Sequence, residues 1–300
     1  MRRRRRCVGG RHGRQTAAVV ATVVVGTCPA GVAITPDGKH AYVANQTSGT
    51  VSVIDAATNT VVATIPFVSN TDSPIGVAIT PDGKYAYVTK GNPNTVSVIA
   101  TATNLVVATI PVGVGTYGVA VTPDGKYAYV TSLFDNTVLV IATASNTVVG
   151  SPIPVGNSPE GVAVTPDGTH VYVANFGLPG TVSVIETAAN TVVATVPVGV
   201  GPAAVAVTPD GTHVYVANAD DNTVSVIATA SNTVVTTVPV EGGALGIGIT
   251  PDGTQAYVAN GPHGLSNGAV SAIGTASNTV VATFPLAGPP KGPSSPRRSA

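Results

Sequence analysis

Val205-Ala-Val-Thr-Pro-Asp-Gly-Thr-His-Val-Tyr-Val-Ala-Asn218 reads as a strand, a tight turn at Thr208-Pro209-Asp210-Gly211, and a second strand ending in Tyr215-Val216-Ala217-Asn218. The turn phrase recurs at Thr35, Thr80, Thr122, Thr165, Thr208 and Thr250, at intervals of 45, 42, 43, 43 and 42 residues. Turn-bounded units of this length, rich in β-formers, mark an array of small stacked sheets such as a β-propeller.

Each unit holds four strand signals. In the second they are Gly76–Thr80, Tyr85–Thr89, Thr95–Ile99 and Leu105–Val112. In the turn joining strands one and two, proline presets φ at the first central position and aspartate suits the second. Glycine then takes the positive φ that closes the hairpin. Strand four carries proline at one place in every unit: Pro66, Pro111, Pro154, Pro197, Pro239 and Pro285. Proline donates no ladder hydrogen bond, so strand four belongs at the outer edge. Both faces of Ala41-Tyr42-Val43-Ala44 are apolar, as sheets buried on both sides require.

The expected fold is therefore all-β, a propeller of four-stranded antiparallel blades. Six complete blades are expected at about 31–67, 76–112, 118–155, 161–198, 204–240 and 246–286, within a propeller body of residues 16–286. Residues 19–25 read as an extra outer strand, since Val19-Val-Ala-Thr precedes its turn phrase by 16 residues, as Val106 and Val192 precede theirs. One departure is Val24, which stands where other copies carry proline. Residues 17–25 also fit the apolar core of an export signal behind Arg2–Arg6, but the repeat register favours a strand. Residues 1–15 and 287–300 read as a basic tail and a Pro/Ser-rich tail, both without strand signals.

Charge is segregated. The nine arginines all lie in the tails, whereas residues 16–290 hold four lysines and all fourteen acids, a net charge of −10. An acidic body disfavours nucleic acid as a partner, because that affinity comes largely from Lys and Arg on phosphates. Two cysteines, Cys7 and Cys28, make no disulfide framework, and no stretch has the length of a transmembrane helix.

The Tyr-Val-Ala-Asn phrase at Tyr42, Tyr172, Tyr215 and Tyr257, with Tyr-Val-Thr at Tyr87 and Tyr129, resembles the YVTN family of β-propeller repeats. The Thr-Val-Ser-Val-Ile and Asn-Thr-Val-Val-Ala-Thr-Ile-Pro-Val phrases match as well, so the resemblance spans residues 19–286. It implies a radial array, usually of seven blades, in proteins often found at prokaryotic cell surfaces. Such propellers also resemble a lactonase family and redox-enzyme propellers. Six full blades plus one strand depart from that pattern, leaving open a truncated seven-bladed ring or closure as six.

Propellers usually bind ligands where the two–three loops and four–one connections meet, beside the axial channel. The units differ most there. Candidate binding residues are Lys90, Tyr117, Phe134, Asp135, Glu160, Phe176, Asp220 and Asp221. Tyr117 and Glu160 are the polar members of a set with Ile75 and Ala203 at equivalent places by the channel mouth. The turn aspartates and His40, His170 and His213 repeat at about a sheet spacing, too far apart to share one ion. No catalytic residue, metal site or cofactor is assigned.

These features favour a non-catalytic binding or structural scaffold, extracellular or at the cell surface, acting through its two–three loops on an unidentified protein or cell-surface glycan. The alternative is a lactonase-like hydrolase acting on a small lactone at the channel mouth. It is placed lower because a phosphorylated lactone calls for Arg or Lys near the channel. Lys90 is the lysine on that face.

Overall fold

A computed structural model describes residues 19–67, 72–261 and 268–286. Both tails lie outside the described residues, as does His263 in the last two–three loop. The 24 strands form six four-stranded antiparallel sheets, each in simple up-and-down order. The innermost strands are Pro29–Ile34, Pro74–Ile79, Thr116–Val121, Pro159–Val164, Pro202–Val207 and Ala244–Ile249. First strands of successive blades pack closely, while fourth strands barely touch, so the sheets fan outward from an axis. The chain is thus an all-β, six-bladed propeller.

The turn phrase closes as its residues dictate. Gly211 has φ 72°, and the Thr208 hydroxyl donates to Asp210 Oδ1 at 2.5 Å. Asp210 also accepts the Thr212 N–H at 3.0 Å, so its carboxylate is occupied by the turn. The same arrangement recurs at Asp124, whose pKa falls to about 2 through the Thr122 hydroxyl and the Lys126 N–H. Each outer strand ends on its proline, as at Pro66 and Pro197.

Apolar side chains on the two faces of each sheet meet those of the next. Five clusters result, one between each pair of successive blades; Tyr42, Val51, Val53 and Ile65 of blade 1, for example, meet Ala86, Val88 and Ile99 of blade 2. A tyrosine pins each junction. Its hydroxyl crosses to the asparagine of the next blade's three–four turn: Tyr42 to Asn104, Tyr87 to Asn146, Tyr129 to Asn190, Tyr172 to Asn232 and Tyr215 to Asn278, at 2.5–2.7 Å. Each of those asparagines has positive φ, which places its side chain at the seam.

Blade 6 breaks the series. Tyr257 donates instead to Gln255 of its own strand at 2.8 Å. No comparable packing joins the first strands of blades 6 and 1. On the facing side of blade 1, Val32 is 62% exposed, whereas its blade 3 and blade 5 counterparts Val119 and Val205 are 9% exposed. The array is therefore open between blades 6 and 1, and closure as six is not what the structure adopts. Residues 19–25 were expected to form an extra strand, but they belong to none of the six sheets. The strand they would pair with, the third of a further blade, is not among the described residues.

Candidate functional site

Strand register separates the two ends of the propeller. In blade 4, Pro159 pairs with Asn175, so the four–one connection and the two–three loop share one end. The Thr-Pro-Asp-Gly turns occupy the other. Lys39, Lys84 and Lys126 sit at that turn end, each paired with its own turn aspartate at 3.2–3.7 Å.

At the loop end, the second residue of each first strand stands beside the axis. The six are Ala30, Ile75, Tyr117, Glu160, Ala203 and Leu245. Backbones approach closely here. A Cβ on Gly118 would lie 2.3 Å from the Glu160 carbonyl oxygen, and one on Gly161 would lie 2.7 Å from that of Ala203. Only glycine permits such contact. The Thr131 hydroxyl then donates to the Glu160 carbonyl at 2.9 Å, and the Thr89 hydroxyl donates to that of Tyr117. These ties from the preceding blade hold both side chains at the mouth.

Glu160 is half-buried, and loss of hydration together with the nearby Asp220 carboxylate raises its pKa to about 7. Burial raises the Tyr117 pKa too, helped by the charge of Glu160. Glu160 thus feels the charge of Asp220, and Tyr117 feels that of Glu160, with the three groups drawn from three blades. Among the described residues Glu160 has no side-chain hydrogen bond. This leaves a carboxyl that titrates near neutrality beside a phenol that keeps its proton.

The other sequence-derived candidates divide. Asp135 Oδ2 accepts the Val114 N–H at 2.7 Å and the Ser132 hydroxyl at 2.8 Å; Asp221 Oδ2 accepts the Val200 N–H at 2.6 Å. Both latch a two–three loop to its own four–one connection. Ser48 makes the same tie to Thr27 in blade 1. Phe134 is 72% exposed over Gly115, while Phe176 is half-buried. Lys90 is 5% exposed; its Nζ lies 3.2 Å from Asp72 Oδ2 and 4.8 Å from the centre of the Phe67 ring. It fills the slot of Asn45, Asn175, Asn218 and Asn260, whose amides bond the third-strand serine of the same blade.

Sequence reasoning missed Asp72. Its one signal is the 45-residue first interval, which lengthens the connection that carries it. A second cleft, lined by Asp37, His40, Tyr42 and Asp82, opens between the turns of blades 1 and 2. Its carboxylates are already engaged by turn hydrogen bonds, so the loop end is the stronger candidate. Among the described residues no cluster of His, Cys, Asp and Glu has a metal-binding arrangement, and no helix is long and apolar enough to cross a membrane.

A propeller with one carboxyl poised at its channel mouth belongs to a class that includes enzymes. The chain matches the lactonase family of seven-bladed β-propellers over residues 12–106 and 101–241, and it belongs to that family. No curated protein matches it. Among solved structures it is similar to the Kuenenia stuttgartiensis hydrazine synthase, with TM-score 0.73 and 24% identity over 84% of this chain and 78% of that one. It is also similar to a protein of unknown function from Desulfotomaculum acetoxidans, with TM-score 0.74 and 23% identity over 87% and 86% of the two chains. At such identity these two support the fold alone. Family membership overturns the expectation of a non-catalytic surface-layer scaffold and the judgement against catalysis. That expectation gave weight to the scarcity of ionisable groups, whereas folding gathers Tyr117, Glu160 and Asp220 from three blades at one mouth.

Proposed function

We propose that this chain hydrolyses a lactone at the loop end of its channel, with Glu160 as general base. The observation that carries the reading is the half-buried Glu160 carboxyl, with its pKa of about 7, at the mouth of a lactonase-family propeller. A base titrating near the working pH combines a sizeable ionised fraction with useful proton affinity. Glu160 takes a proton from water as the water oxygen bonds to the lactone carbonyl carbon. The carbonyl oxygen gains negative charge, and the phenol of Tyr117, kept neutral by its raised pKa, is suited to donate to it. The ring C–O bond then breaks, and the proton held by Glu160 passes to the departing alkoxide, giving a hydroxy acid. Within this lactonase-related family, the Tyr-Val-x-x phrases favour a YVTN-type repeat as the particular variety.

Replacing Glu160 with Gln keeps the shape and removes the base. Turnover of a lactone panel is expected to fall by about 100-fold or more, within the range for loss of a general base. Undiminished turnover by E160Q would remove Glu160 from the reaction.

A further inference from the structure

The charge and polarity of the loop end narrow the substrate class. Cations are scarce there. The propeller body has no arginine, and three of its four lysines are held in turns at the opposite end. The fourth, Lys90, faces the right way, but its charge is buried and neutralised by Asp72. The mouth itself presents Glu160 and the exposed Asp220. A phosphate or carboxylate entering would meet two carboxyl groups and no free cation among the described residues.

Apolar groups, by contrast, are presented in excess. Phe134 is 72% exposed, Leu178 70%, Leu245 55% and Val114 50%, all in two–three loops, four–one connections or the first-strand entry at this end. Ile75 and Ala203 continue that surface inward on either side of Tyr117 and Glu160. Scattered exposed apolar side chains are ordinary, but several at the end that carries Glu160 and Tyr117 offer a substituent apolar contact there.

Resting on the hydrolase reading above, we propose that the substrate is an uncharged lactone bearing an apolar substituent, and that phosphorylated lactones are excluded. The ring carbonyl sits by Glu160 and Tyr117, and the substituent lies over the Phe134 and Leu178 loops.

Three δ-lactones test this in the full-length chain: an unsubstituted ring, the same ring with a hexyl chain, and a phosphorylated ring. The hexyl chain is expected to raise kcat/KM by about tenfold or more through buried CH2 groups. The phosphate is expected to lower it by about 100-fold at low salt, with the gap narrowing as salt is added. In Asp220→Lys, the ratio of phosphorylated to unsubstituted turnover should rise at least about tenfold. In Phe134→Ser combined with Leu178→Ser, the preference for the hexyl chain should shrink. Equal or better turnover of the phosphorylated ring overturns the proposal and leaves the hydrolase reading standing. Indifference to the hexyl chain overturns its apolar half. No turnover of any of the three overturns the hydrolase reading and this proposal with it.

Discussion

Glu160 behaves unlike the turn acids around it. Asp37, Asp82, Asp124, Asp167, Asp210 and Asp252 have lowered pKa values because hydroxyl and amide donors of the turn stabilise their charge. Glu160 lacks such donors and loses water, so its pKa moves up, and Asp220 adds to the rise. The kcat of the proposed lactone hydrolysis should accordingly increase with pH through about 7 and level off above, and Asp220→Asn should move the midpoint down. The same shift bears on stability with a definite sign. The folded chain holds the Glu160 proton more tightly than the unfolded chain, so ionisation costs stability as pH rises from the ordinary carboxyl value of 4.5 to about 7. E160Q is therefore expected to match wild type in acid and to exceed it above neutrality in denaturant titrations, by about 2 kcal/mol once the full shift is discounted for the carboxyl's partial exposure to screening solvent. Lys90 and Asp72 make the opposite case of a buried pair. Lys90→Ala leaves Asp72 charged and alone, and a loss of about 3 kcal/mol is expected by the same titration. Replacing both partners with apolar residues, Lys90→Met with Asp72→Leu, should recover most of it.

The blade-to-blade tyrosine is the element that turns a repeat into an ordered array. Its ring fills the seam, and its hydroxyl reads the next blade's turn asparagine, as Tyr172 reads Asn232 at 2.7 Å. Tyr172→Phe should cost about 1 kcal/mol, the usual net worth of one hydrogen bond, because Asn232 loses its cross-seam donor. Tyr257→Phe severs only a bond within its own strand and should cost clearly less. Equal costs, measured by chemical unfolding, would show that the cross-seam bond contributes nothing special. Much of this element was legible in advance: the strands, the turn chemistry, the edge prolines and the role of the turn aspartates follow from local residue preferences. The partner of each tyrosine was not, since Tyr172 and Asn232 lie 60 residues apart and meet only when blades stack.

At the scale of the molecule, six blades share five apolar seams, and among the described residues no further blade covers the outer faces of blades 1 and 6. In a linear array each unit is stabilised by the units it touches, so the ends open first. Amide exchange should be fastest in blades 1 and 6 and slowest in blades 3 and 4; uniform protection would imply a closed ring in solution. The candidate site lies in the protected middle, since Tyr117 and Glu160 belong to blades 3 and 4 and Asp220 to blade 5. The sequence by itself determined the repeat, the strands, the number of blades and the end of the molecule at which the units differ most. These are properties of short windows, where propensity, turn geometry and period act locally. Tertiary structure decided that the ring is open, that residues 19–25 join no sheet and that Lys90 is spent on Asp72. It also decided that the single Glu at the mouth has a neighbouring carboxylate and phenol. Those outcomes depend on burial and on charges brought together from distant units, and neither exists until the blades have packed.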